Sequence, residues 1–216
     1  MIALSATMKR VSKAPQSSRN TSRRDFASGK KTGTVRIIGG QWRGRKLPVA
    51  NVEGLRPTTD RNKETVFNWL MHDTQNAICL DVFAGSGGLG LEALSRYAAQ
   101  CIFIEKDSAA AANLKTNLNT LQANAKVHCG DALTVLSQLE QQFDIVFIDP
   151  PFYHNLVMPT LQQLISAKLL KAGSLLYIEQ EIDAAALTLS SGWEIVKHKR
   201  TSQLEYMVVR CAGLEN

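Results

Sequence analysis

Residues 149–152 read Asp149-Pro150-Pro151-Phe152 and follow directly on the apolar run FDIVFI. A carboxylate, a carbonyl on a stiff backbone and an aromatic ring suit one kind of chemistry. The exocyclic amine of a base is a poor nucleophile because its lone pair is delocalised into the ring. If Asp149 and the Pro150 carbonyl accept its two N–H bonds, the nitrogen is drawn towards a pyramidal geometry and its lone pair is aimed at an electrophile. The prolines fix that arrangement in advance, and Phe152 can stack on a base taken out of its helix. Asp149 can also take the proton that becomes acidic as the new bond forms. The plainer alternative is an Asp-Pro-Pro that merely ends a strand.

A second constellation is LDVFAGSGGLG at residues 80–90, with Gly85, Gly87 and Gly90 in the spacing GxGxxG. Alone this is a weak signal. Such glycines let the backbone turn sharply and approach a ligand at the carboxyl end of a strand. A pyridine-nucleotide enzyme would use the following helix N-terminus for a pyrophosphate, whereas a methyltransferase would use the loop for the methionyl part of S-adenosylmethionine. Asp81 favours the second, because a carboxylate here would hold an ammonium group and repel a pyrophosphate. Glu105 closes the run IFIE, where it can accept from both hydroxyls of a ribose, a feature common to both ligand classes. Asp131, with the Ala132 amide beside it, could receive an adenine amino group. Asp107 and Asp131 are equally readable as helix N-caps.

These residues need elements that bring them together. Apolar runs alternate with helical patterns from residue 77 onward: AICLDVF, a helix over 91–97, QCIFIE, a helix over 108–121, KVHC, a helix over 133–139, FDIVFID, a helix over 159–165, and GSLLYIE. Short strands apolar on both faces, alternating with helices, predict a doubly wound parallel α/β sheet. A short helix is expected over 184–189. WEIVKHK and EYMVVR follow, joined by too few residues for a crossover, so they should pair antiparallel. A parallel sheet finished by an antiparallel hairpin differs from the usual dinucleotide-binding order and resembles the seven-stranded Rossmann-like sheet of S-adenosylmethionine-dependent methyltransferases. Upstream, VRIIGGQWRGRKLPV over 35–49 predicts a small β-hairpin that carries Arg36, Arg43, Arg45 and Lys46 outward. Turn and cap signals then precede DRNKETVFNWL, a helix in which Val66, Phe67, Leu70 and Met71 share a face. The expected organisation is a basic, unstructured tail over 1–34, a hairpin and helix over 35–73 that face RNA and cover the cofactor, and a catalytic domain over 74–216.

Charge supports a polyanionic partner. Residues 1–63 hold 15 Lys and Arg against 3 Asp and Glu, a net of +12, while residues 64–216 carry a net of −6. A polycation on an acidic body attracts nucleic acid through counterion release, although a solubilising tail or an organellar transit segment has similar composition. No apolar run approaches the roughly 20 residues of a membrane-spanning helix. Cys79, Cys101, Cys129 and Cys211 are too dispersed for a zinc site and are expected as buried thiols. Trp42 and Trp69 could stack on RNA or pack in the core. His72, His128, His154 and His198 are given no role.

Taken together, RIIGGQWRGRKLPV, RPTTDRNKETVFNWL, LDVFAGSGGLGLEALSR and DPPF resemble the bacterial 16S rRNA guanine-N2 methyltransferase family, RsmD, over residues from about 35 to 209. The resemblance implies methyl transfer from S-adenosylmethionine, with S-adenosylhomocysteine as product and no metal, to N2 of one guanine of 16S rRNA, number 966 by convention. Carried over by position, Asp81, Phe83, Gly85, Gly87, Glu105, Asp131 and Ala132 would hold the cofactor. Asp149, Pro150, Pro151 and Phe152 would engage the amine. Arg36, Arg43, Arg45, Lys46, Arg56 and Arg61 would face RNA, with Thr58 and Glu64 in the same block. The family implies a cytoplasmic enzyme, expected as a monomer with no membrane partner, acting on rRNA within a small-subunit assembly particle. The competing readings are an adenine-N6 methyltransferase of DNA or RNA, a pyridine-nucleotide oxidoreductase, and a non-catalytic RNA-binding factor.

Overall fold

The computed structural model describes residues 33–50 and 60–212, all within one compact unit. Its centre is a seven-stranded sheet built from β3 (Ile78–Asp81), β4 (Gln100–Glu105), β5 (Ala125–Cys129), β6 (Phe143–Ile148), β7 (Leu170–Glu181), β8 (Glu194–Arg200) and β9 (Leu204–Arg210). The strand order is β5-β4-β3-β6-β7-β9-β8. The first five strands are mutually parallel, and β9 runs antiparallel to both of its neighbours. The order therefore reverses between β3 and β6, and the carboxyl ends on either side of such a reversal are where doubly wound sheets bind ligands.

Strand alternation sends successive side chains to opposite faces, and the two faces form separate cores. On one, Phe103, Phe147 and Tyr177 pack with α2 (Gly88–Ser95) and α3 (Ser108–Leu121); on the other, Leu80, Val146 and Ile178 pack with α4 (Ala132–Leu136) and α5 (Val157–Ser166). Among the described residues no helix is long and apolar enough to cross a membrane.

The predicted upstream hairpin is present as β1 (Thr34–Arg36) and β2 (Lys46–Pro48), paired antiparallel around a short 3-10 turn at Gly40–Trp42. Helix α1 (Asp60–Trp69) follows. Val35, Ile37, Leu47, Val49, Val66, Phe67 and Leu70 all join the first core, so hairpin and helix share one core with the sheet. Polar contacts lock them down. Glu92 of α2 is fully buried; its Oε2 accepts from Ile38 N at 2.8 Å and its Oε1 from Arg96 Nε at 2.8 Å. The Arg96 guanidinium in turn lies 5.1 Å from the centre of the Phe67 ring. Trp42 N donates to Ser95 Oγ, Asn117 Nδ2 donates to Pro48 O, and buried Lys63 donates through Nζ to Arg36 O.

Several expectations are corrected. Residues 184–189 form no helix. Leu187 and Leu189 are half-buried with exposed Thr188 between them, the period-two alternation of an extended path and not of a helix. Both leucines reach the second core. Helix α4 ends at Leu136 rather than at 139. Met71 lies beyond α1 and is exposed, as is Cys129, whereas Cys79, Cys101 and Cys211 are buried. Trp42 and Trp69 are half-buried against the first core, so packing is their observed use.

Removing the Glu92 carboxylate would leave a buried amide and a guanidinium without their acceptor. Glu92→Ala is expected to cost roughly 2 to 4 kcal/mol in urea unfolding and to expose the 35–50 segment to proteolysis; a loss under about 0.5 kcal/mol would contradict the clamp.

Candidate active site

Strand β3 ends on Asp81, 2% exposed, whose Oδ2 accepts from Gly90 N at 3.0 Å. The chain then keeps bonding to both flanking strands, Val82 N to Phe147 O at 3.1 Å and Ala84 N to Ile104 O at 2.9 Å, so the loop leaves the sheet along a fixed path. Gly85 N donates to Glu105 Oε2 at 2.7 Å, and Gly87 caps α2 at φ 80°, a left-handed conformation suited to glycine. Phe83 is half-buried against the second core.

Glu105 ends β4 and is half-buried. Its second oxygen, Oε1, accepts from Asp107 N at 2.7 Å, so the carboxylate ties the glycine loop to the start of α3. Asp107 and Asp131 are both N-caps: Asp107 Oδ1 accepts from Ala110 N, and Asp131 Oδ1 from Thr134 N and Oγ1. Asp131 is exposed and Ala132 buried.

Asp149 follows β6 directly and is half-buried, Pro150 is buried, Pro151 is exposed and Phe152 is half-buried. Tyr153 N donates to Glu181 Oε1 at the end of β7, which anchors the loop. Below it lie two residues that sequence reading passed over. Glu179 is 5% exposed, and the buried Tyr177 hydroxyl donates to its Oε2 at 2.7 Å. Burial pushes the Glu179 carboxyl up, against the opposing effect of that bond; burial together with the charges of Glu179 and Asp149 pushes the tyrosine far above its ordinary range. Acids within apolar stretches, as in GLGLEALS and LLYIEQE, were the available signal for Glu92 and Glu179.

Register brings the principal candidates together. Asp81 is level with Phe103 of β4 and Phe147 of β6, so Glu105 and Asp149 each lie two positions beyond it on adjacent strands. Asp131 stands further out, after β5. Arg36, Arg43, Arg45, Lys46 and Arg61 are exposed on the hairpin and α1 rather than on the strand ends. Arg36 is shared with Asp60 at 3.9 Å, and Glu64 is exposed. Arg56 and Thr58 fall outside the described residues.

The family model described as Conserved hypothetical protein 95 matches residues 35–210. The Ribosomal RNA small subunit methyltransferase D of Escherichia coli K12 is 48% identical over 176 residues, 81% of this chain and 89% of its own length. This chain belongs to the RsmD family. The Haemophilus influenzae protein of the same name is 49% identical over 179 residues, 81% of this chain and 92% of its own. Among solved structures, the putative methyltransferase yhhF of Escherichia coli superposes with a TM-score of 0.79 at 46% identity, over 84% of this chain and all of that one.

In this RsmD-family site Asp81 is the most perturbed carboxylate at the strand ends. Burial raises its pKa, the Gly90 bond opposes that, and the Glu105 charge adds to it, giving about 7. The native state therefore keeps a proton that the unfolded chain releases near pH 4. Between those values the native state binds more protons, so stability falls as pH rises, by about 1.4 kcal/mol per unit, and levels off above about pH 7. Asp81→Asn should remove that slope. The variant is expected to unfold at higher urea than the parent at pH 8 and to converge with it near pH 4; parallel pH profiles for the two would show that Asp81 is ionised throughout.

Proposed function

We propose that this chain transfers the methyl group of S-adenosylmethionine to the exocyclic N2 of one guanine of small-subunit 16S rRNA, guanine 966 by conventional numbering. The observation that carries the reading is the placement of Asp149-Pro150-Pro151-Phe152 at the strand-order reversal, one strand away from the glycine loop. The names of the relatives, which are small-subunit rRNA methyltransferases, support it.

The residues present fit that cofactor. Each Glu105 oxygen has one backbone donor, and a carboxylate offers about four acceptor sites, leaving capacity for two ribose hydroxyls. Asp81 sits in a pocket of acids with a raised pKa, so a ligand ammonium nearby would stabilise its ionised form. Asp131 and the Ala132 amide would meet the adenine edge, with the cap already using Asp131 Oδ1. Bound there, S-adenosylmethionine supplies an electrophilic methyl group on a sulfonium centre.

The protein's own part is to make the amine nucleophilic. Asp149 and the Pro150 carbonyl accept the two N–H bonds of N2, and Phe152 holds the ring face. Asp149 then takes the proton the amine loses. Glu179, buried on the neighbouring strand β7 and held by Tyr177, has its carboxyl pushed up by burial, which favours its neutral form. The exposed cations of the hairpin and α1 hold phosphates, which positions the RNA without reading its bases. Residues 64–216 carry a net of −6, so phosphate contacts on these cations offset the repulsion of the body for RNA.

Three experiments test the reading. Asp149→Ala should bind S-adenosylmethionine as the parent does and lose on the order of 100-fold or more in single-turnover methylation. Mapping of the product nucleoside separates N2-methylguanine from N6-methyladenine, and the latter would overturn the guanine assignment. Changing Arg43 and Arg45 together to Ala should weaken RNA binding and flatten its dependence on log salt by about 1.4, at roughly 0.7 per phosphate contact. An unchanged slope would remove the hairpin from the RNA surface.

A further inference from the structure

Beyond the hairpin and α1, the other end of the sheet carries a second cationic feature. Strand β8 is the outermost strand, and the segment KHKRTSQ over 197–203, which ends β8 and forms its turn to β9, contains no acid. Lys197, His198, Arg200, Thr201, Ser202 and Gln203 are exposed, and Lys199 Nζ rests 5.6 Å from the centre of the Tyr206 ring. Because β9 is antiparallel to β7, with Glu181 opposite Leu204 and Ile182 N donating to Gln203 O, this turn lies at the carboxyl edge of the sheet. The DPPF loop leaves β6 at the same edge.

Charge on an outer strand often serves only to prevent strand-to-strand aggregation. That purpose would be met anywhere along β8. Here the first three positions are Glu194, Ile195 and Val196, and the cations are gathered in the half nearest the site.

An independent feature stands between the two. Tyr153 is 80% exposed and sits at φ 64°, a conformation uncommon for a bulky residue. The bond from its N–H to Glu181 holds it there, and its ring lies edge-on to Phe152, with centroids 6.4 Å apart at 76°. Glu181 ends the strand that pairs with β9, and the adjacent Gln180 donates to Glu205, which also contacts His198 and Arg200. The outward ring and the cationic turn are therefore braced by the same strand end.

We propose that Tyr153 and the cationic end of the β8–β9 hairpin form a second RNA-binding surface. Tyr153 stacks on an unpaired base next to the target nucleotide, and Lys197 and Arg200 neutralise phosphates of the strand leading away from it. The surface deepens the rRNA methyltransferase reading on which it rests. Hairpin β1–β2 packs on the later turns of α2 and α3, through Ser95 and Asn117, so the two surfaces would hold separate parts of the RNA.

The test uses full-length protein, unmethylated small-subunit particles and a labelled single-stranded RNA oligonucleotide. Tyr153→Ala, and Lys197→Ala with Arg200→Ala, are each expected to raise KM for the particles and Kd for the oligonucleotide about tenfold. In both, kcat should stay within about twofold, with unaltered S-adenosylmethionine affinity. Tyr153→Phe should restore the parent values, since stacking needs the ring and not the hydroxyl. The double variant should also have a salt slope shallower by about 1.4, at roughly 0.7 per contact. Parent-like KM and Kd in both variants would overturn the proposal, as would a loss confined to kcat. A defect on particles with normal oligonucleotide binding would assign the patch to a subunit protein and overturn the RNA surface. Absence of methylation by the parent protein would instead overturn the function, while the oligonucleotide measurement would still decide the surface.

Discussion

The ends of β4, β3, β6 and β7 place Glu105, Asp81, Asp149 and Glu179 along one edge, and the rest of the molecule is arranged around keeping these carboxylates there. Carboxylates taken out of water need partners. Glu105 has two backbone amides, Asp81 has one, and Glu179 has a buried hydroxyl. These bonds also define the loop geometry, since the Gly85 and Gly90 amides are fixed by Glu105 and Asp81. Asp81 is the least compensated, which is why its pKa rises to about 7. An edge with this much negative charge suits a ligand that brings positive charge and is hostile to phosphates. Attraction for RNA must then come from cationic side chains outside this group of carboxylates.

That separation explains the second buried network. Exposed arginines on a floating hairpin would lose conformational freedom on binding. Here the hairpin is held by Glu92, Ser95, Asn117 and Lys63, each of which engages its backbone rather than its exposed side chains. The polar groups that fix the scaffold are thus different from those left for the partner. Glu92 performs two tasks, since its other oxygen orients Arg96 over Phe67 and so joins α2 to α1. The cationic surface is carried by the same compact unit as the strand-end carboxylates.

Much of this was legible in the sequence because it depends on short-range patterns. Strand and helix periodicity gave the sheet, the brevity of the last connection gave the antiparallel end, and DPPF together with the glycine loop marked the two strand ends that meet at the order reversal. What escaped depends on tertiary distance. The stretch 184–189 has helical composition, yet the second core that takes both Leu187 and Leu189 draws it into an extended path. Asp131 carries both a cap signal and a ligand signal, and the structure shows the cap in use. Lys63 lies on the polar side of a helical pattern, and only the approach of β1 turns that position into an interior one with a carbonyl to meet its ammonium group. Tyr177 and Glu179 read as part of a buried strand, and their proximity to Asp149 follows from the pairing of β6 with β7.

The glycine motif shows how a familiar pattern can be correct for an unexpected reason. A Cβ at Gly90 would stand 2.2 Å from the Phe103 ring, and one at Gly87 would stand 2.5 Å from Leu114 Cδ1. Both glycines are therefore required by the packing of α2 against β4 and α3, before any ligand is considered. Gly85 and Gly90 also give their amides to strand-end carboxylates, Glu105 and Asp81 in turn. The same close packing of the first helix on its sheet is needed whether the ligand carries a pyrophosphate or a sulfonium, which is why the spacing alone does not distinguish them. Discrimination rests on the charge next to the loop. A buried Asp81 beside Glu105, with Asp149 on the adjacent strand, leaves no place for a second set of phosphate charges.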